Sequence, residues 1–349
     1  MPGNVQAPPA PSASSPALSS VLRAIVRHRG AQAAVALWVS GYIVVLWLAH
    51  GSLPFDRPAV AHLPFASQLA APTIGLLQIF LLMVVTFLLT RTRVTPDMAA
   101  RAPDRRVAAR ETILVLAYAV FGQVGGWILG PALGYRAFSF HLAGTVFGVS
   151  MTPTPTELWI WASYNFLVFA VAPYVYFRRR YTNRDLSLCS TNRRNDLLLM
   201  GVVLVIESVF ELSVFHAILG LNPHQVLLGA PLTFAVFFIG TVLPTMVLIY
   251  AILLPRYLKL TGSAISTVLL GGLTYAAMHI VEGWSAFGSP RDAALSLLFV
   301  LFTYVGPGMM KSVLTLRTGN AWVHAISYHA LAPHVLVDTP LVVTIFDIA

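Results

Sequence analysis

Residues 231–254, PLTFAVFFIGTVLPTMVLIYAILL, pass without a single charged side chain. About 20 apolar residues suffice for a helix to cross a hydrocarbon core about 30 Å thick. A helix pairs its own backbone groups, so an apolar run of this length is stable in lipid. The same reading finds comparable segments at 33–50, 67–90, 112–133, 157–177, 197–219, 264–281, 292–314 and 320–337. The 349 residues are 57% hydrophobic and only 10% charged, with a mean hydropathy of +0.76. A soluble domain does not hide that much apolar surface. The expected fold class is therefore all-α, a polytopic transmembrane helix bundle of about nine spans.

The loops between these segments alternate in charge. Basic residues gather at the N-terminus (Arg23, Arg27, Arg29), at 91–111, at 178–196, at 255–263 (Arg256, Lys259) and at 315–319, where Arg317 follows Lys311. Cationic loops stay on the cytoplasmic side, so the pattern predicts an N-in, C-out chain. The formal net charge of +9 then reports topology, and the lipid bilayer rather than nucleic acid is the expected partner. Cys189 is the single cysteine. It excludes an internal disulfide and a cysteine metal cluster, and its basic loop predicts a free thiol in the cytoplasm. Residues 1–30 are rich in Pro, Ala and Ser and lack the apolar core of a signal peptide, so they read as a disordered cytoplasmic tail. Residues 31–195 hold four spans with basic cytoplasmic loops.

Ionisable residues at bilayer depth are costly and mark functional sites. Glu207 and Glu211 lie four apart on one helix face, able to share a proton or a cation. His279 and Glu282, three apart, are placed on one face of the span 264–281. His324, His329 and His334 belong to the last span. At 1.5 Å per residue, Glu211 and His279 sit about 21 and 22 Å from the cytoplasmic starts of their spans, and His329 about 14 Å. Glu, His and His at similar depth on three helices can build one polar site open to the outer face. His216, about 140° round the helix from Glu211, need not share it. The segment SFHLAGTVFGVSMTPTPTE (139–157) reads as an external loop with a short re-entrant or interfacial piece, with no function assigned.

Three stretches in chain order carry a resemblance. Glu211-Leu212-Ser213-Val214-Phe215-His216 stands where an E-E-x-x-F-R motif would, YAAMH (275–279) resembles F-x-x-x-H, and LRTGNAWVHAISYHALAP (316–333) resembles a TG-x-x-W lead-in followed by H-x-x-x-N. Over roughly residues 195–337 the chain resembles the CPBP family of intramembrane endopeptidases, which includes CAAX proteases and bacteriocin-processing proteins, so 196–349 is the expected CPBP-like core. The resemblance implies a catalytic transmembrane core in a bacterial inner or plasma membrane, acting on a membrane-anchored or exported protein. It assigns Glu211 as general base with His279 and His329 as partners; Glu207 and Glu282, which match no motif, are supporting candidates from their position beside the site. The two histidines are also candidate ligands for a divalent metal such as zinc. The pattern departs at Leu212, at His216 in the arginine's place, and at Pro333 in the asparagine's place. That last change leaves Asn320, His324 or a backbone amide to face the oxyanion. An inactive scaffold or immunity protein of the same fold and a proton-coupled transporter are the alternatives.

Overall fold

In the computed structural model residues 17–55, 63–142, 153–282 and 284–349 are described, and every regular element among them is helical. Among the described residues seven helices are long and apolar enough to cross a membrane. They are α2 (Arg29–Ala49), α3 (Phe65–Thr90), α4 (Arg105–Ala132), α5 (Pro155–Arg178), α6 (Arg193–Val214), α7 (Pro223–Thr261) and α9 (Pro290–Thr318). A short amphipathic helix, α1 (Leu18–Arg27), precedes them, and α8 (Ala264–Met278) lies between α7 and α9. The last helix, α10, is continuous through Trp322–His324, a π-helical Ala325–Leu336 and Val337–Ile345.

Three expectations are corrected here. Leu18–Arg27 is a helix rather than disordered chain. Leu18, Val21, Leu22 and Ile25 fall on one side and Ser19, Arg23 and Arg27 on the other, the pattern of an interfacial helix. The rest of the expected tail, residues 1–16, lies outside the described residues. The apolar segment 197–219 stops being helical after Val214, because Phe215 leaves the helical region with φ −118° and ψ 78°. The segment 264–281 ends as a helix at Met278, so His279 and Glu282 do not share a helix face.

A helix that is apolar on every side belongs in the middle of a bundle. The second half of the run 231–254 behaves so: from Val242 to Leu254 each residue with a large apolar side chain except Leu243 is buried. Pro244 lacks an N–H and so frees the carbonyl of Gly240. Asn165 of α5 donates to that carbonyl at 2.9 Å and to Phe140 O at 3.2 Å. Freed backbone groups inside a membrane protein need such partners.

Helices α8 and α9 pack through glycines. A Cβ on Gly308 would stand 2.8 Å from Gly272 Cα and 2.6 Å from Tyr275 Cβ. Small residues let two helix backbones approach this closely. Gly308→Ala should therefore force the helices apart and cost about 1–3 kcal/mol as overpacking. A thermal melt in detergent checks this, and an unchanged midpoint would mean the contact yields freely.

The basic loops gather at one end of the bundle. Arg93 pairs with Asp196, two buried side chains, and also donates to Thr318 O at 2.7 Å. Gly319 closes α9 in the left-handed region at φ 64°, where a side chain is strained. Its carbonyl accepts from Arg101 at 2.7 Å. The Thr-Gly pair of the motif lead-in thus ends one helix and aims the next. Arg256 of α7 holds Glu111 of α4, Nη2 to Oε2 2.6 Å, between the rings of Phe177 and Tyr181 at 4.7 and 4.9 Å. Tyr181 donates to Glu111 at 2.8 Å. Burial, with that hydrogen bond, pushes the phenol up to about 12, so it remains a donor at neutral pH.

Candidate functional site: a buried cavity of carboxylates and imidazoles

Towards the opposite end the helices line a cavity of about 420 Å³. Glu207 and Glu211 reach it from the last two turns of α6, His329, Pro333 and His334 from α10, and Tyr275 from α8. The i, i+4 spacing that placed both glutamates on one helix face explains why both are buried on the same wall. Gln78 of α3 donates to Glu207 Oε2 at 2.6 Å, whereas Glu211 Oε2 has no hydrogen-bond partner among the described residues. Lys311 Nζ, buried in α9, stands 3.6 Å from the centroid of the Tyr275 ring.

His329 is held by its Nε2, 3.3 Å from the Tyr275 hydroxyl. His334 pairs through Nδ1 with Asp338 Oδ2 at 2.7 Å and stacks on Phe237 with centroids 4.7 Å apart. The two imidazoles are neighbours, centroids 5.3 Å apart. Their helix is π-wound around Pro333, and a proline that removes an N–H from the ladder is a recognised cause of such rewinding.

His279 lies deeper, behind this wall. It caps α8, is fully buried, and its Nδ1 is 2.6 Å from Tyr275 O. Its ring stacks on Tyr304 at 3.9 Å and lies 4.8 Å from the ring of His141. His141 Nδ1 is in turn 3.3 Å from Glu282 Oε1. His141, His279 and Glu282 each offer a ligand atom within 4.8 Å of the others. His329 is not part of that group, so the two histidines expected as joint metal ligands stand in different clusters, linked through Tyr275.

Three supporting candidates fall elsewhere. His216 is exposed on the turn after α6, because the helix that was to carry it has ended. Asn320 is tied into the basic end, donating to Asp196 Oδ2 at 2.9 Å and accepting from Trp322 N at 3.2 Å, which leaves it no role facing an oxyanion. His324 is buried against Tyr250, centroids 4.3 Å apart, with neither ring nitrogen paired among the described residues. It is not on the cavity wall.

His141, and Asp338 as the partner of His334, are the site residues that sequence reasoning missed. His141 comes from the loop after α4, residues that carry no periodic signal. That loop is pinned to the bundle from below: Trp161 Nε1 donates to Ser139 O at 2.7 Å, Asn165 to Phe140 O, and Phe138 N to Gly126 O at 3.1 Å. The remainder of the expected re-entrant piece, 143–152, lies outside the described residues. Asp338 four residues after His334 was the one legible signal, an i, i+4 pair on a helix.

Fold and cavity together define an integral membrane protein with titratable side chains lining a cavity between apolar helices. No family model, curated protein or solved structure matches the chain.

Proposed function

We propose that the protein is an intramembrane endopeptidase of the CPBP type, spanning a bacterial inner or plasma membrane nine times with its N-terminus in the cytoplasm. Its substrate is a membrane-anchored or exported protein. The observation that carries this reading is that Glu211 and His329, from two separate motif segments, both line one cavity among apolar helices. Peptide hydrolysis in a membrane needs a water, a base and a donor for the oxyanion. Glu211 takes the proton as the water oxygen attacks the carbonyl carbon, and returns it to the amine as the C–N bond breaks. His329, positioned by Tyr275, orients the water.

The test is a comparison of N-termini among membrane and exported proteins, in cells carrying wild type, Glu211→Gln or no copy. Termini present with wild type and lost in both other strains support the reading. Identical termini in all three would remove it and favour a non-proteolytic scaffold.

The orientation has its own check. Cys189 is exposed in a basic loop, so an impermeant thiol reagent should leave it unlabelled in intact cells and label it after lysis. Labelling of intact cells would reverse the topology.

A further inference from the structure

His279 carries an unusual arrangement for a fully buried imidazole. Tyr275 O can only accept, so the Nδ1 that faces it at 2.6 Å must bear the proton. Nε2 then presents a lone pair, and no donor reaches it among the described residues. An imidazole whose far N–H is fixed by a backbone carbonyl is how proteins set a histidine for a metal. Leaving a buried acceptor without any partner is costly otherwise.

The neighbouring groups supply the rest of a ligand set. The 3.3 Å between His141 Nδ1 and Glu282 Oε1 matches the edge of a tetrahedron with metal–ligand bonds of about 2.0 Å. The three ligand atoms lie within 4.8 Å of one another, so binding an ion at bonds of about 2.0 Å draws the widest pair in by up to about 1.5 Å. His141 keeps 12% of its side-chain surface and Glu282 4%, and both line the cavity.

We propose that His141, His279 and Glu282 form a binding site for one divalent transition-metal ion of the zinc type, with its remaining coordination position facing the cavity. Two imidazoles and one carboxylate suit zinc or cobalt rather than magnesium or calcium, which prefer all-oxygen shells. Three protein ligands and an open position are the arrangement of a catalytic rather than a structural zinc site. Binding stands on geometry alone. Its use rests on the peptidase reading: the ion would polarise the scissile carbonyl, the role left vacant where Pro333 replaces an asparagine.

The experiment uses the full chain purified in detergent, stripped with chelator and titrated with Zn²⁺ and Co²⁺. One equivalent per chain should bind, with the visible absorption of tetrahedral Co²⁺. His279→Ala and Glu282→Gln should each weaken binding by more than about 100-fold, and exposed His216→Ala should not. A loss caused by misfolding is separated by His141→Cys in a Cys189→Ser background. That variant should keep the ion and gain a thiolate-to-cobalt charge-transfer band that only a direct ligand produces. Glu211→Gln should bind metal normally, so failure of the peptidase reading leaves this result intact. Absence of stoichiometric binding by wild type, or an unchanged cobalt spectrum in His141→Cys, overturns the site.

Discussion

Glu211→Gln is expected to lower cleavage by about 10²–10⁴-fold, the usual contribution of a well-placed general base. The glutamine keeps the shape of the side chain and its hydrogen-bonding reach, and α6 keeps its packing, so the protein should insert and melt as wild type does. What disappears is the proton acceptor on the cavity wall, at the carboxylate whose Oε2 has no partner to compete with a substrate water. Glu207→Gln should behave differently. Its carboxylate already accepts from Gln78, and its influence on the pH profile through the carboxylate pair should exceed its influence on the maximal rate. His279→Ala and His329→Ala should each approach the Glu211→Gln defect, and their combination should fall well short of additive, as residues acting in one unit do. The readout is the ratio of cleaved to uncleaved substrate termini at matched expression. Full processing by Glu211→Gln would exclude a glutamate base.

The second large effect is on stability, at the basic end. Glu111→Ala should destabilise the protein by about 3–5 kcal/mol, because Arg256 would keep a charge inside the bundle with its carboxylate partner gone. The guanidinium is almost fully buried, so water does not easily replace the lost carboxylate. Removing both charges as Glu111→Leu with Arg256→Met should recover most of that loss, since an apolar pair of similar volume replaces a buried ion pair at little cost. Thermal midpoints in detergent for the two single variants and the double variant measure the coupling directly. Equal losses for single and double variants would mean that packing against Phe177 and Tyr181, rather than charge pairing, dominates at this position.

The two effects occupy opposite ends of the molecule. Arg93, Asp196, Arg256 and Glu111 lock the ends of α3, α4, α6 and α7 where the basic loops gather. The cavity lies towards the other end, beyond the buried middle of α7. Glutamates on that wall are held in place by helices anchored elsewhere, so the stability variants should leave the order of the activity variants unchanged.

The apolar runs and their alternating basic loops were legible in the residues themselves, because a bilayer-length helix depends only on its own composition and hydrogen bonds. So was the burial of Glu207 and Glu211 on one wall, since residues four apart on a helix face the same way wherever it packs. The places where helices stop were harder to read. Val214 and Met278 are followed by further apolar residues, Phe215 and then Ala217 to Leu219 after the first, Ile280 and Val281 after the second, so composition gave no stop there. Local pattern also could not show His141, whose position depends on Trp161 and Asn165 holding a loop from another helix. Nor could it separate His279 from His329, which share a motif order but face different neighbours across Tyr275. Sequence determines which groups lie at bilayer depth; which of them meet is decided by contacts between separate helices and loops, such as Tyr275 with His329, and those exist only in the tertiary structure.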